Sequence, residues 1–278
     1  MIRLAVRVAR EHADLVLAEL LELAPGGVEE ADVDGGLVEY AIYGPPGEVP
    51  DLPDLEVAAG DALVEVRTTE VADDWADRWR QFHQPVVVGG RLHVRAPWCA
   101  PREDLLEVVV DPGQAFGTGA HATTRLCLEL LCELGGPRGA AVDLGCGSGV
   151  LAIAAAKLGH APVHGVDHEP ESVLATRDNA AANGVEVTAA RFDLLRGGPV
   201  PAAPLVLANL LRPLLLAVSR AGFAGGAVPD VLIASGLLVH EADEVAAAFA
   251  QRHGLAEAER RDDGQWAALR LVHAGVIG

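Results

Sequence analysis

The residues best suited to binding chemistry form a glycine-rich stretch, DLGCGSG, between an apolar strand and a helix. Gly145, Gly147 and Gly149 alternate with other residues in this stretch. Glycine lets the backbone turn tightly and lets a ligand approach it closely. The N-terminus of the following helix offers unpaired N–H groups to that ligand. An ordinary strand-to-helix turn is the alternative interpretation of these glycines.

Asp167 is the second candidate, because it ends the next apolar strand, 22 residues after Gly145. An acid at the tip of a second strand is positioned to accept hydrogen bonds from ribose hydroxyls. Val150 occupies the position at which a dinucleotide-binding fingerprint requires Gly or Ala. The pattern therefore predicts a nucleoside site, and it fits S-adenosylmethionine better than NAD.

Asn209 is a candidate for holding a reacting amine, because it follows four apolar residues at the end of a later strand, LVLAN. A helix N-cap is its alternative role. The methyl group of a sulfonium is already activated, so the protein has to hold a neutral amine in line with it. Positioning of this kind lowers a barrier by roughly 7–11 kcal/mol. His121 is a candidate general base by location, and a structural histidine is its alternative.

A glycine-containing segment, DPGQAFGTGAHATT, precedes the glycine turn and includes Phe116 and Gly117. A flexible loop with one aromatic residue can fold over a bound ligand and exclude water. The alternative is a surface loop with an N-capping threonine before a helix over 125–134. The sequence leaves these two interpretations open.

The elements that must position these residues alternate between strands and helices from Asp104 onward. Apolar strands are predicted at 106–110, 140–144, 162–166, 186–190, 204–208 and 230–234, and helices at about 121–134, 149–158, 170–183, 211–221 and 240–252. Such alternation predicts an α/β fold, a largely parallel sheet with helices on both faces. Asp263-Gly264 lies between two strand-like runs, which predicts an antiparallel hairpin at the end of the sheet.

The first part of the chain predicts a small α+β domain. Strands are expected over 2–9, 28–33, 37–43 and 62–70, with a helix over 10–23. The stretch GPPGEVPDLPD contains too much proline for a helix, so a second helix is expected to be shortened or missing.

A connector follows, in which Trp75, Trp79 and Phe82 recur at helical spacing and VVVGGRLHVRAPW predicts a hairpin. The predicted organisation is an α+β domain over 1–72, a linker over 73–103 and the α/β domain over 104–278.

Charge excludes several classes of partner. The chain has 21 basic and 40 acidic residues, a net charge of −19, and a sequence pI near 4.8. Such acidity argues against direct nucleic-acid binding and against docking on an anionic membrane surface. Residues 1–90 hold 6 arginines against 19 acids, a net −13, so the acidity is concentrated in the first third.

Cysteine usage and the N-terminus indicate the compartment. The four cysteines form no CxxC pair, and we expect neither a metal site nor a disulfide framework. The first residues, MIRLAVRVARE, contain charges too early for a secretory signal. No uninterrupted apolar run is long enough to cross a membrane. These features predict a cytoplasmic protein.

The motifs together resemble one family. DPGQAFGTGAHATT, DLGCGSGVLAIAAAKLG, the strand end VDHEP with DNAAANG after it, and ANLL are similar to the PrmA-type methyltransferases, which act on ribosomal protein L11. The resemblance covers roughly residues 74–275 clearly and the N-terminal domain in outline. AFGTGAHATT is specific to this group, whereas DLGCGSG is common to seven-stranded class I methyltransferases.

The resemblance implies a ferredoxin-like N-terminal domain that recognises the substrate, and a class I methyltransferase domain with a Rossmann-like fold. It implies methyl transfer from S-adenosylmethionine to lysine side-chain and N-terminal amines of a basic ribosomal protein. The cofactor residues implied are Thr124, Gly145, Gly147, Asp167 and Asn209, with Phe116 and Gly117 in the loop near the methionine end. His168 and Leu210 depart from the family pattern, which more often has an aliphatic residue and isoleucine there.

Three other functions stay open on the sequence alone. An NAD-dependent oxidoreductase shares the general fold but lacks the fingerprint residue at position 150. A methyltransferase of the same fold that acts on lysines of a different protein would have the same cofactor residues. A non-catalytic module with an acidic surface for a basic partner would not need the glycine turn, Asp167 or Asn209.

Overall fold

The computed structural model describes residues 2–13, 16–17, 20, 28–33, 36–44, 63–70, 84–111, 119, 121–135 and 139–273. Contacts divide the chain into two units, Met1–Phe82 and His83–Gly278. Each unit is built around its own sheet. All the described candidate site residues lie in the second unit. Among the described residues, no helix is both long and apolar enough to cross a membrane.

The first unit contains a four-stranded antiparallel sheet. Its strands are β1 (Ile2–Ala9), β2 (Glu29–Val33), β3 (Leu37–Gly44) and β4 (Leu63–Glu70), in the order β2-β3-β1-β4. The four predicted strands are confirmed. Residues 13, 16, 17 and 20 are helical, and buried Val16 and Leu20 pack with Val6 and Tyr40 to form the core of the unit.

The strand order of this sheet is that of a split β-α-β arrangement. The place of the second helix, between β3 and β4, falls on residues 45–62, which lie outside the described part of the chain. The ferredoxin-like assignment and the expectation of a shortened helix therefore stay predictions.

The second unit is built on a seven-stranded sheet. Its strands are β8 (Ala141–Leu144), β9 (Val163–Asp167), β10 (Val187–Arg191), β11 (Leu205–Asn209), β12 (Val231–Leu238), β13 (Leu255–Asp262) and β14 (Trp266–His273). The order is β10-β9-β8-β11-β12-β14-β13. The first five strands are parallel, and β14 is antiparallel to both neighbours. The α/β fold and its closing hairpin are confirmed.

Helices cover both faces of this sheet. They are α1 (Ala122–Cys132), α2 (Val150–Lys157), α3 (Pro170–Ala182), α4 (Arg212–Ala221) and α5 (Ala242–His253). Short 3₁₀ turns lie at Arg10–His12, Ala224–Gly226 and Val239–Glu241. Successive β11 residues point to opposite faces: Leu207 packs with α1 and α2, whereas Val206 packs with α4 and α5.

One expected strand joins a different sheet. Residues 106–110 were expected in the parallel sheet, but β7 (Leu106–Val109) pairs in parallel with β6 (Leu92–Arg95), which forms a hairpin with β5 (Val86–Val88). This expectation was wrong because alternation of strands and helices reveals element type but not pairing partners. The apolar face of the small sheet packs into the α1–α2 cluster. The hairpin itself is confirmed, whereas Trp75 and Trp79 lie outside the described residues.

Candidate active site

The predicted ligand residues meet at one edge of the large sheet. The strand β8 lies between β9 and β11, and all three run in the same direction. Asp167 ends β9, Asn209 ends β11, and the glycine turn follows β8. The chain order reverses direction across β8 and β11, and ligands of open α/β sheets bind at such a switch point, beyond the carboxyl ends of the strands.

The glycine turn needs glycine for steric reasons. Gly145, Gly147 and Gly149 have φ angles of 72°, 52° and 83°, a region that other residues rarely adopt. A Cβ atom on residue 145 would lie 2.5 Å from the Cδ2 atom of Leu210. The Gly145 N–H donates to the Val166 carbonyl at 2.8 Å, which ties the turn to β9. The turn is therefore shaped by both neighbouring strands.

The Asp167 carboxylate accepts a hydrogen bond from the glycine turn and retains further acceptor positions for a ligand. Its Oδ2 accepts the Gly147 N–H at 3.0 Å, and its Oδ1 accepts the Glu169 N–H at 3.1 Å. A carboxylate has about four acceptor positions. Two backbone donors leave further acceptor positions open to a ligand. The adjacent His168 side chain is 68% exposed, and its Nδ1 lies 3.4 Å from the Asp167 Oδ1.

Thr124 and Asn209 form a direct pair across 85 residues of sequence. The Asn209 Nδ2 donates to the Thr124 Oγ1 at 3.2 Å, and Thr124 is fully buried. The bond uses the amide nitrogen and leaves the Asn209 Oδ1 as an acceptor. Leu211, rather than Asn209, is the N-cap of α4, and it has no side-chain capping bond. The alternative of Asn209 as a helix cap is wrong, because β11 extends through this residue.

His121 begins the helix that carries Thr124. It is the N-cap of α1, and its Nδ1 accepts the Thr123 N–H at 3.3 Å and lies 2.8 Å from the Thr123 hydroxyl. Its ring packs edge-on against Trp266, with 5.3 Å between ring centroids. Burial lowers the pKa of His121, against the opposite effect of Asp263. The alternative of an N-capping threonine before a helix over 125–134 is wrong, because α1 begins at Ala122 with His121 as its N-cap.

The predicted loop is described only in part. Phe116 and Gly117 lie outside the described residues. Gly119 is described; its φ angle is 83°, and a Cβ atom there would lie 2.5 Å from the Cγ1 atom of Val94. This close approach to β6 explains why the sequence has glycine at position 119.

Asp143 is a site residue that the sequence interpretation did not single out. It lies on β8 with 1% exposure, and its Oδ2 accepts the Ala152 N–H at 3.1 Å. Its Oδ1 is buried without a hydrogen-bond partner. Burial raises the pKa of Asp143 to about 8, and the Asp167 carboxylate adds to this rise, whereas the Ala152 N–H opposes it. The signal was present as a lone acid within the apolar strand AVDL.

Two polar side chains on one side of α3, those of Thr176 and Asn179, were also not predicted from the sequence. The Thr176 hydroxyl donates to the Gly147 carbonyl at 2.9 Å, and the Asn179 Nδ2 donates to the Ser148 carbonyl at 2.9 Å. The spacing of Thr176 and Asn179, three residues apart and so on one side of a helix, was the available signal. In the described part of the chain, no cluster of three acidic, His or Cys residues is arranged to hold a metal ion.

Residues 53–274 match the family described as ribosomal protein L11 methyltransferase (PrmA). A protein from Burkholderia ambifaria named ribosomal protein L11 methyltransferase is 38% identical over 276 residues, which cover 89% of this chain and 90% of the relative. The protein of the same name from Burkholderia vietnamiensis is 37% identical over 277 residues, with the same coverage.

One solved structure gives a comparison of folds. It is the ribosomal protein L11 methylase from Lactobacillus delbrueckii subsp. bulgaricus, with 25% sequence identity and a TM-score of 0.60. The similarity covers 69% of this chain and 98% of that chain.

Proposed function

This chain belongs to the ribosomal protein L11 methyltransferase family, and we propose that it transfers methyl groups from S-adenosylmethionine to lysine side-chain and N-terminal amines of L11. The observation that carries the proposal is the meeting of three features at one sheet edge. These are the glycine turn, the Asp167 carboxylate and the bonded pair Thr124–Asn209.

The described residues fit this cofactor by their chemistry. Asp167 is a buried carboxylate whose two backbone bonds leave room for ribose hydroxyls. Asp143 has an unpartnered, fully buried oxygen beside the turn, and such an oxygen is costly unless it gains a partner. When bound, S-adenosylmethionine supplies a methyl group on a positively charged sulfur. Asp167, Thr124 and Asn209 are the residues that we propose to hold it.

Asn209 is proposed to orient the accepting amine. Its amide nitrogen is engaged by Thr124, so its side-chain oxygen can accept an N–H from a neutral amine and direct the nitrogen lone pair. A lysine amine has a pKa of about 10.4 in water. Desolvation in a closed site favours its neutral form. The residues of this chain therefore contribute positioning and desolvation. Methyl transfer would form a bond between the amine nitrogen and the methyl carbon and break the bond between that carbon and the sulfur, with the electron pair kept by the sulfur as a neutral thioether and the extra amine proton passing to solvent.

The proposed partner is a basic ribosomal protein, and the proposed compartment is the cytoplasm, where such a substrate is made and assembled. The substrate is recognised as protein, without direct contact to nucleic acid, because a net charge of −19 opposes phosphate binding.

The test is transfer of labelled methyl groups to purified L11. We expect incorporation into L11 and not into another basic ribosomal protein offered at the same concentration. Equal labelling of both proteins would favour the broader lysine methyltransferase, and no labelling of any protein would contradict the proposal.

A matched pair of variants tests the cofactor assignment. Asp167→Ala removes a charged acceptor worth roughly 1.5–3 kcal/mol, so the dissociation constant for S-adenosylmethionine should rise roughly 10- to 100-fold. Asp178→Ala removes an exposed acid from α3, and this control should leave the dissociation constant for S-adenosylmethionine unchanged. Calorimetric titration measures both, and unchanged affinity in Asp167→Ala would contradict the ribose assignment.

A further inference from the structure

The strand β12 contains an irregularity directly beside Asn209. Asn209 of β11 is paired in parallel with Ser235 of β12. On its other side β12 pairs with β14, and the register of that pairing shifts between Ala234 and Leu237. Ser235 and Gly236 therefore lie opposite a single residue of β14, which defines a β-bulge. Bulges are frequent next to active sites, where they direct a side chain or end the pairing of strands.

The bulge closely approaches the backbone that follows Asn209. The Leu210 N–H donates to the Ser235 carbonyl at 2.9 Å. Gly236 has a φ angle of 84°, and a Cβ atom there would lie 2.5 Å from the Leu210 carbonyl oxygen and 2.7 Å from its carbonyl carbon. Because these neighbours are backbone atoms, a side chain at position 236 fits only if the Leu210 peptide moves. Ser235 and Gly236 thus fix the position of the peptide directly after Asn209.

The Ser235 side chain ties the bulge to β14. Its hydroxyl donates to the Ala267 carbonyl at 2.9 Å, and the residue is fully buried. A bulge disrupts the ladder of backbone hydrogen bonds, so the hydroxyl supplies a buried bond at the disruption. This bond stabilises the bulge in the position that contacts Leu210.

Two residues on other elements of the second unit provide matched comparisons. Ser219 of α4 is also buried, and its hydroxyl donates to the Ala248 carbonyl of α5 at 3.1 Å. Gly184 follows α3 and also has a positive φ angle, 63°, but a Cβ atom there would have no neighbour within 4 Å. These residues reproduce the buried hydroxyl bond of Ser235 and the positive φ angle of Gly236 on elements that are not paired with β11.

We propose that Ser235 and Gly236 are positioning residues for methyl transfer, because their bulge sets the direction of the Asn209 side-chain oxygen. The inference rests on the proposed function, in which that oxygen orients the accepting amine. Thr124 holds the Asn209 side chain by its amide nitrogen, and the bulge holds the backbone on which that side chain stands. Misplacement by about 1 Å lowers reaction rates strongly, so a small shift of the Leu210 peptide should lower the rate more than the affinity.

The first test removes the Ser235 hydroxyl. We expect Ser235→Ala to lower kcat for L11 about tenfold, while KM for L11 and the dissociation constant of S-adenosylhomocysteine stay within about threefold. Ser219→Ala loses the same kind of buried bond, so it should lower the melting temperature similarly and keep kcat within about twofold of the wild type.

Three results would overturn the inference. They are an unchanged kcat in Ser235→Ala, an equal loss of kcat in Ser219→Ala, and a loss of S-adenosylhomocysteine affinity in Ser235→Ala as large as its loss of kcat. If the wild-type protein transfers no methyl groups to L11, the proposed function itself fails. If the wild type is active and the Ser235 and Ser219 variants behave alike, only the inference fails.

The second test adds a methyl group at position 236. Gly236→Ala should lower kcat about 100-fold, because its Cβ atom displaces the Leu210 peptide. Gly184→Ala places alanine in the same left-handed region without such a displacement, and it should keep kcat within about twofold of the wild type. A folded Gly236→Ala with the kcat of Gly184→Ala would contradict the proposal. If Gly236→Ala does not fold, the serine pair decides.

Hydrogen exchange on Ser235→Ala locates the change in the structure. The Leu210 amide should exchange roughly tenfold faster than in the wild type, whereas the Leu207 amide, earlier in the same chain segment, should exchange at its wild-type rate. Unchanged exchange at Leu210, or equally faster exchange at Leu207, would show that the hydroxyl does not act through the peptide after Asn209 and would overturn the inference.

Discussion

Asp167 and Asp143 are two buried acids on neighbouring strands, and their surroundings give them different tasks. Asp167 accepts two backbone N–H donors at the strand tip. Asp143 has one N–H donor and an unpartnered oxygen within the apolar strand. Burial raises the pKa of Asp143 to about 8. At neutral pH the structure therefore favours a protonated Asp143.

This pKa makes a prediction about stability. Because Asp143 binds its proton more tightly in the folded state, the folded protein holds more protons than the unfolded one between the ordinary pKa of 3.8 and about 8. The free energy of unfolding should therefore fall as pH rises through that window, by at most about 1.4 kcal/mol per pH unit.

Asp143→Asn should remove this slope, because asparagine does not titrate and keeps an acceptor for the Ala152 N–H. Urea unfolding at several pH values measures it, with Asp178→Asn as the exposed control. Parallel pH profiles for the wild type and Asp143→Asn would contradict the buried titration.

Single residues were predictable where a strand end marked them. Asp167 and Asn209 were found because each follows an apolar run, and the structure places both at one sheet edge. The bond between Asn209 and Thr124 was not predictable by residue type, since 85 residues separate them. Asp143 was missed because its chemistry comes from burial, which depends on elements distant in sequence.

At the scale of elements, α1 depends on how it begins. His121 caps this helix through Nδ1, which has to be unprotonated to accept the Thr123 N–H. Thr124, on the first turn, then points its hydroxyl to Asn209. The cap therefore supports the site by placing Thr124, and the geometry favours a structural role for His121 over a general base.

Two substitutions of His121 distinguish its role as a helix N-cap from a role as general base. His121→Ala should cost about 1 kcal/mol of stability, the usual loss of an N-cap, while His121→Asn should recover most of it, because asparagine is a good cap. Both variants should keep methyl transfer within a few fold of the wild type. Thermal unfolding and kcat measure the two effects. A large loss of kcat in a stable His121→Asn would assign His121 to proton transfer instead.

Element types were predictable from periodicity, and element partners were not. In the described part of the second unit, the helices α1–α5 and the strands β8–β11 begin and end within about two residues of their predicted bounds, because glycine, proline and apolar runs mark them, whereas β12 continues beyond its predicted end at residue 234 to Leu238. The strand β7 joined the wrong sheet in the prediction, because pairing depends on an available edge, which the β5–β6 hairpin provides. The bulge at Ser235–Gly236 likewise depends on pairing of β12 with β14 that local sequence does not encode.

At the scale of the whole molecule, charge is distributed unevenly. Residues 1–90 contain six arginines and 19 acidic residues. Arg3 and Arg7 form ion pairs with Glu39 at 2.6 and 2.7 Å. The hydrogen bond from Arg3 lowers the pKa of Glu39, with Arg7 adding to it and burial opposing it. These pairs leave the excess of acids in this part of the chain uncompensated, which suits a basic protein substrate.

Electrostatic attraction of L11 predicts a dependence on salt. Between about 0.01 M and about 0.15 M salt the screening length shortens from about 30 Å to about 8 Å. We therefore expect kcat/KM for L11 to fall roughly tenfold over this range, while the affinity for S-adenosylhomocysteine changes far less. Initial rates at several salt concentrations measure this. A salt-independent kcat/KM would contradict the steering hypothesis and leave the methyltransferase assignment intact.

The most direct test of the central claim is the mass of L11 after incubation with this protein and S-adenosylmethionine, followed by peptide mapping. The account predicts mass increments of whole methyl groups, located on lysine side chains and the N-terminal amine, and their loss or strong reduction with Asp167→Ala. An unmodified L11 under conditions in which the protein binds S-adenosylmethionine, or methyl groups on atoms other than amines, would contradict it.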